Sequence, residues 1–180
     1  MTSYESVRQT YKPAIIKLLL IAESPPPAPD IQSSRQFYYA DRIRKDDRLF
    51  VNTIKALYPE AADIKEPELE RQKETWLKRL QADGIYMIEA LEESQVHEVA
   101  KRRRQELIAE SLPRIIERVG QLATDSTKII LIKSNVYDIA AEPLREAGFM
   151  VLNIELVDYP GRFNQRAYRE KLAQLTKEVL

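Results

Sequence analysis

Four short apolar runs limit this chain of 180 residues to a small set of folds. The runs lie at residues 16–22, 85–88, 128–132 and 149–156. Mostly apolar runs of this length are typical of strands that are buried on both faces of a parallel sheet. Segments with helical periodicity separate the runs, and helices in such crossovers cover both faces of the sheet. The pattern predicts an α/β fold in which a four-stranded parallel sheet is the middle of three layers, α/β/α.

Helical periodicity defines the segments between the runs. Pro59 closes one helix, Pro67 suits the first turn of the next, and Gly148 ends a helix that Asp138 is expected to cap. A new helix start or a kink is expected at residues 111–113. The predicted helices cover residues 41–57, 66–82, 91–110, a continuation to residue 120, 138–147, and a last helix with Tyr168, Leu172, Leu175 and Val179 in line. Residues 1–14 are predicted to be an irregular arm of a single domain, 1–180, whose core is 15–180.

The composition sets bounds on partners and chemistry. Basic and acidic residues number 28 each, so nucleic-acid binding would require a local basic patch. The absence of cysteine excludes disulfides and thiolate zinc sites, and no metal cluster can be built around the single histidine, His97. The apolar stretch near the amino terminus is too short to cross a bilayer. We therefore expect a cytoplasmic protein without a metal, a cofactor or a membrane partner.

Polar residues that follow the four apolar runs are the first candidates for a functional site. In open α/β sheets, ligands bind outside the carboxyl ends of the strands. The prolines after the first run keep the loop that follows from being helical. Glu23 and Ser24 therefore stand where such a fold places its chemistry, although a core strand that leads into a rigid loop would have the same pattern. The strand-end candidates are Glu23, Ser24, Glu89, Lys133, Asn135, Asp158 and Tyr159.

Two of these strand ends carry short motifs that resemble a known family. Residues 22–26 read A-E-S-P-P, which is similar to the first motif of the uracil-DNA glycosylase superfamily, where branches have G-Q-D-P-Y, G-E-A-P-G or G-[MI]-N-P-G. Residues 159–161 read Y-P-G at the place of that superfamily's H-P-S motif, after the fourth strand and before the last helix. The order and spacing of elements are similar over residues 15–179. The resemblance implies the strand order 2-1-3-4 and a nucleobase cleft at the carboxyl ends of the strands.

The chain also departs from the family pattern at three positions. Ser24 replaces the aspartate or asparagine that positions the attacking water in many members. Tyr159 replaces the histidine that stabilises the departing base, and Ala22 replaces the opening glycine. A tyrosine hydroxyl, with a pKa of about 10, is a weak substitute for a charged imidazole.

The resemblance implies a role for each candidate residue. Glu23 and Ser24 are the catalytic candidates, and Glu23 matches the glutamate of the G-E-A-P-G branch. One of three aromatic rings would stack on the base, and the remaining candidates would contact the base, the sugar or a phosphate. These substrate-binding candidates are Pro25, Phe37, Tyr38, Tyr39, Glu89, Lys133, Asn135, Tyr159, Arg162 and Asn164.

Each role has a purely structural alternative. Glu23 could pair with a nearby arginine, the aromatic rings could pack in the core, Glu89 could be a solvated loop residue and Asn135 could stabilise a turn. The basic run at 101–104 is read as a solvated helix face more readily than as a nucleic-acid contact, because Glu98, Glu106 and Glu110 flank it.

The sequence as a whole predicts a divergent uracil-DNA-glycosylase-like protein. Its expected partner is DNA, a nucleobase or a nucleotide, bound in a cleft at the carboxyl ends of the strands. Hydrolysis of an N-glycosidic bond is one expected activity. The alternative is a non-catalytic binding or interaction module on the same fold.

Overall fold

The computed structural model describes residues 4–26, 37–40, 47–93 and 100–179. Within these residues, four strands form one parallel sheet in the order β2-β1-β3-β4. The strands are β1 (Leu18–Ala22), β2 (Ile85–Glu89), β3 (Lys128–Leu131) and β4 (Met150–Val151). The α/β class and the strand order are therefore confirmed.

Strand β1 is the centre of the sheet, as its apolar sequence predicts. All five of its residues are buried. Leu18 pairs with Ile85 of β2 on one side and with Lys128 of β3 on the other. Burial of apolar area stabilises the fold by about 25 cal/mol per Å², so a strand covered on both faces contributes strongly to the core. Because the strands are parallel, the residues that follow them lie together at the carboxyl end of the sheet.

Strand β4 is much shorter than the predicted strand at 149–156. Regular pairing covers Met150–Val151 and returns only as a single bridge between Ile132 and Val157. Between them, Asn153 places its side chain where a backbone would pair. Its Oδ1 accepts from Leu131 N at 3.0 Å and its Nδ2 donates to Leu131 O at 3.1 Å. The side-chain amide thus satisfies the edge of β3 and interrupts the strand.

The helices cover most of the remaining described chain. The predicted irregular arm at 1–14 is wrong in part, because residues 4–10 form a helix. Arg8 on this helix is buried and pairs with Glu89, which anchors the helix to the sheet. The helices are α1 (Tyr4–Thr10), α2 (Arg48–Leu57), α3 (Glu66–Arg71), α4 (Lys73–Asp83), α5 (Lys101–Leu122), α6 (Ser134–Glu146) and α7 (Gln165–Thr176).

The structure places no new helix start at 111–113 and moves the predicted start at Asp138. Helix α5 runs continuously through Pro113. The proline costs the bond to the carbonyl of Ala109, which is exposed and can bond to water instead. Helix α6 begins at Ser134, so Asp138 lies in its second turn and caps nothing. The predicted helical residues 41–46 and 94–99 lie outside the described part of the chain.

The helices form layers on the sheet. Helix α2 packs against α7, and α5 packs against α6. In the first pair, a bond of 2.7 Å joins the hydroxyls of Thr53 and Tyr168. A buried ion pair between Lys73 and Asp47 lies at the start of α2, where Lys73 Nζ also donates to Phe37 O at 3.0 Å. In the described parts of the chain, every helix is too short or too polar to cross a bilayer.

Candidate functional site

Glu23 lies at the carboxyl end of β1 and is the centre of a polar cluster. Its side chain is only 6% exposed. Lys133 Nζ donates to Glu23 Oε1 at 2.8 Å, and Asn135 Nδ2 donates to Glu23 Oε2 at 2.6 Å. Lys133 follows β3, and Asn135 is in the first turn of α6. We refer to Glu23, Lys133 and Asn135 as the Glu23 cluster.

The backbone of two neighbouring strands sets the position of this cluster. Ile132 N donates to Ile21 O at 2.9 Å, and Lys133 N donates to Val157 O at 2.8 Å. The first bond continues the pairing of β1 with β3, and the second joins the end of β3 to the chain after β4, at the point where these chains leave the sheet. Glu23 and Lys133 therefore leave the sheet side by side, and the residues after Val157 leave it next to them.

Arg104 adds a second cation to Glu23. Its Nη1 lies 3.4 Å from Glu23 Oε1. The side chain of Arg104 is 24% exposed, whereas that of Arg102 on the same turn of α5 is 91% exposed. The sequence interpretation missed this residue because it treated the run at 101–104 as one solvated face. Helical spacing alone places Arg104 on a different side from Arg102.

Lys133 holds a strained backbone conformation. Its φ is +81° and its ψ is 141°, and it is the only non-glycine residue with positive φ in the described chain. The cause is local, because one residue must turn the chain from the end of β3 into α6. Such a conformation costs on the order of 1–3 kcal/mol in a residue with a Cβ. Strained residues of this kind cluster at functional sites.

Asn135 has an unused acceptor in the same cluster. The residue is 3% exposed, and its Oδ1 is a buried atom without a hydrogen-bond partner in the described structure. Buried polar atoms are usually paired, since an unsatisfied one costs about 1–3 kcal/mol. A ligand that supplies an N–H or O–H donor would satisfy this atom.

Glu89 is buried at the end of β2 but already has a partner. Arg8 of α1 forms an ion pair with its carboxylate, and Arg118 Nη1 donates to its carbonyl at 3.0 Å. Burial raises the pKa of the Glu89 carboxyl, and the charge of Arg8 opposes that rise. Arg8 thus pairs with the carboxylate that the sequence analysis predicted to contact a base.

The aromatic triplet lies in the core. Phe37, Tyr38 and Tyr39 are all buried. Tyr39 Oη accepts from Met87 N at 2.6 Å, and the ring centroids of Tyr38 and Phe50 are 5.5 Å apart. No ring of the three has a face open to solvent. The alternative, in which the rings pack in the core, therefore describes this arrangement, and no exposed ring surface is present for the predicted stacking on a base.

The remaining candidates are divided between the interior and the surface. Pro25 is buried and Ser24 is partly buried beside Glu23. Tyr159, Arg162 and Asn164 are exposed in the segment between Val157 and α7. Glu23 and Tyr159 thus lie at the same end of the sheet, which the resemblance requires. Tyr159 is only 37% exposed, and its partial burial raises the pKa of its hydroxyl, to which the charge of Asp47 adds.

One exposed aromatic residue was missed by the sequence interpretation. Phe163 is 90% exposed, and the guanidinium of Arg162 lies 5.7 Å from its ring centroid. Phe163 directly precedes Asn164, the residue before α7. The sequence feature that could have identified Phe163 is an aromatic residue next to an arginine in the loop that follows the last strand.

The described residues do not bring three or more histidine, aspartate or glutamate side chains together as a metal site would.

Comparisons of the chain with protein-family models, with curated proteins and with solved structures find no match.

Proposed function

We propose that the chain is a divergent uracil-DNA-glycosylase-like protein that binds a nucleobase, within a nucleotide or a nucleic acid, at the carboxyl end of its sheet. The strand order 2-1-3-4 supports this proposal. So does the position of the A-E-S-P-P and Y-P-G motifs, which follow β1 and β4 at one end of the sheet. Ligand sites of open parallel sheets lie at this end.

The observation that carries the proposal is the buried, unpaired acceptor of Asn135. Its Nδ2 is committed to Glu23, which fixes the amide plane and directs Oδ1 away from that bond. The edges of nucleobases present N–H donors next to acceptors, and asparagine is well suited to read them. Glu23 is then a positioning residue that orients the amide for the base.

The surface next to the cluster favours a ligand with a sugar and phosphate over a free base. Lys133 and Arg104 are both partly exposed beside Glu23. Phe163 presents an aromatic face at the same end of the sheet, near Arg162. Stacking of a base on an aromatic side chain contributes about 1–3 kcal/mol in single-stranded nucleic-acid binding.

Calorimetric titration with a panel of nucleosides and nucleoside monophosphates tests the binding function. We expect at least one base to bind the wild-type protein, and Asn135→Ala to weaken that binding about tenfold or more, as expected for a lost polar contact of about 1.4 kcal/mol. Gln121→Ala is the control, because Gln121 is exposed on α5 away from the cluster. Binding of no base by the folded wild-type protein would refute the proposal.

Hydrolysis of an N-glycosidic bond, as in DNA repair, is a second candidate function. It is favoured by the position of Glu23, which is the position of the glutamate in the G-E-A-P-G branch, and by the strain at Lys133. Both carboxylate oxygens of Glu23 are engaged by Lys133 and Asn135. A catalytic role requires that the substrate displaces Lys133 and Arg104 from Glu23 Oε1, so that this oxygen can accept a proton.

An incision assay separates the enzyme from the binding module. The substrates are single- and double-stranded DNA that carries uracil, hypoxanthine or xanthine. Cleavage by the wild-type protein that is lost in Glu23→Gln supports hydrolysis. Nucleobase binding without cleavage of any substrate identifies the non-catalytic module.

A further inference from the structure

The first turn of helix α5 has an unusual charge pattern for a helix start. Its residues are Lys101, Arg102, Arg103 and Arg104, and none of the first-turn residues is acidic. The amino end of a helix dipole is positive, so acidic residues are favoured there and cations are disfavoured. A sequence that breaks a local rule at one place commonly does so for function.

The cations of this turn share several of their carboxylate partners. Arg102 Nε lies 3.3 Å from Glu106 Oε1, and Arg103 Nη1 lies 3.4 Å from Glu106 Oε2. Arg103 Nη1 also lies 2.9 Å from Glu110 Oε1. Arg104 and Lys133 share the single carboxylate of Glu23. The first turn of α5 and Lys133 thus place five cations, including Lys101, around the carboxylates of Glu23, Glu106 and Glu110.

Arg104 joins this charged turn to the Glu23 cluster. Its guanidinium lies 3.4 Å from Glu23 Oε1, on the same oxygen that Lys133 contacts at 2.8 Å. The side chain of Arg104 therefore connects the first turn of α5 to the carboxyl end of β1. A chain of phosphates along this turn would pass beside a base that is bound at Asn135.

We propose that the first turn of α5, together with Lys133, binds the phosphate backbone of a single-stranded nucleic acid. This inference rests on the proposed function for the position of the base. Guanidinium groups bind phosphate oxygens with two parallel hydrogen bonds, and exposed arginine–carboxylate pairs are weak enough to exchange partners. Arg102 and Arg103 keep their carboxylate partners in the free protein and exchange them for phosphates in the complex.

The same surface does not fit an anionic membrane. An amphipathic helix that lies in a bilayer needs an apolar face open to lipid. The apolar residues Ile108, Ile115 and Val119 of α5 are buried against the protein. The charged turn therefore lacks an apolar surface beside it on this helix, and phosphodiester groups in solution are the anions that it fits.

Fluorescence anisotropy with a labelled single-stranded oligonucleotide, measured over a series of salt concentrations, tests the inference. The variant is Lys101→Gln/Arg102→Gln. We expect its affinity to fall about tenfold or more and the slope of log affinity against log salt to decrease by about 1.4, because each lost phosphate contact removes about 0.7 for a single strand. Lys78→Gln is the matched control, since Lys78 is an exposed lysine on α4, 2.7 Å from Glu74, and its slope should equal that of the wild type.

The outcomes separate this inference from the proposed function. An unchanged slope in the double variant refutes the backbone surface, and so does nucleoside binding without any oligonucleotide binding. The inference is also refuted if the wild type binds vesicles of anionic phospholipid as tightly as the oligonucleotide, or more tightly, and the double variant loses that binding. A reduced slope together with an Asn135→Ala variant that binds like the wild type would support the surface and refute base recognition at Asn135.

Discussion

A hydrogen bond of 2.6 Å joins Asn135 and Glu23, although 112 residues separate them in the chain. The bond connects the end of β1 to the first turn of α6, across neighbouring parallel strands. It leaves Asn135 Oδ1 as a buried acceptor without a partner in the described structure. The pair therefore holds one end of the amide in place, and the other end is the one that we propose contacts the base.

The buried carboxylate of Glu23 should contribute to stability as well as to the site. Glu23→Gln removes the charge that Lys133 and Arg104 share and places an NH2 group against existing donors. We expect the free energy of unfolding to fall by about 1–3 kcal/mol, the range for hydrogen bonds to charged groups. Urea unfolding of the wild type and the variant measures this difference in the free energy of unfolding.

Glu155→Gln is the control for this substitution. Glu155 is exposed and lies 3.7 Å from Lys171. Loss of such a surface pair should change stability by less than about 1 kcal/mol. If Glu23→Gln unfolds at the same urea concentration as Glu155→Gln, the cluster does not contribute to the fold.

Strain at Lys133 predicts an unusual order of stability for two substitutions. Both Lys133→Gly and Lys133→Ala lose the ion pair with Glu23, but only glycine adopts a φ of +81° without steric cost. We expect the glycine variant to be more stable than the alanine variant by about 1–2 kcal/mol. At Lys171, inside α7, the order should be reversed by about 1 kcal/mol, because glycine disfavours a helix interior. An alanine variant at 133 that equals or exceeds the glycine variant would show that the turn is not strained.

The Glu89 carboxyl predicts a specific dependence of stability on pH. Burial raises its pKa above the ordinary value of 4.5, against the opposing charge of Arg8. The folded protein therefore holds this proton more tightly than the unfolded chain does. As the pH rises above 4.5, the contribution of Glu89 to the free energy of unfolding falls.

Glu89→Gln removes this titration. We expect the unfolding free energy of the variant to decline less than that of the wild type between pH 4.5 and neutrality. Arg8 stays charged over this pH range. Loss of its carboxylate partner therefore shifts the curve of unfolding free energy against pH without changing the slope of that curve. Urea unfolding at a series of pH values provides the measurement, and parallel curves for wild type and variant would contradict the raised pKa.

Phe163 should affect binding and not stability. Its side chain is 90% exposed, so Phe163→Ala should change the free energy of unfolding by less than about 0.5 kcal/mol. Oligonucleotide binding should weaken by about 1–3 kcal/mol if a base stacks on the ring. Ile15→Ala is the matched control, because Ile15 is exposed and precedes β1 at the opposite end of the sheet. Equal affinity of the Phe163 variant and the wild type would exclude stacking on this residue.

The central strand of the sheet could be predicted from the sequence because its signal is local. Leu18–Ala22 is an uninterrupted apolar run, and such a run fits a strand with two covered faces. The end of β4 could not be predicted in the same way. Asn153 pairs with Leu131 through its side chain, which no periodicity reveals.

The partners of the candidate site were harder to predict than its position. Strand ends located Glu23, but its cations come from positions 81 and 110 residues away. Arg104 and Arg102 look alike in the sequence and differ only in the side of α5 on which they lie. Arg8 was read as part of a polar arm, because its burial depends on the distant Glu89.

The most direct test of base recognition is the side-chain amide signal of Asn135 in a nitrogen-15 NMR spectrum, assigned by its loss in Asn135→Ala. We expect this NH2 resonance to shift progressively during titration with the nucleoside that binds, because the ligand bonds to Oδ1. The NH2 resonance of Asn153, whose amide is fully paired with Leu131, should stay in place. A nucleoside that saturates the protein while the Asn135 resonance does not move would contradict base recognition at this residue.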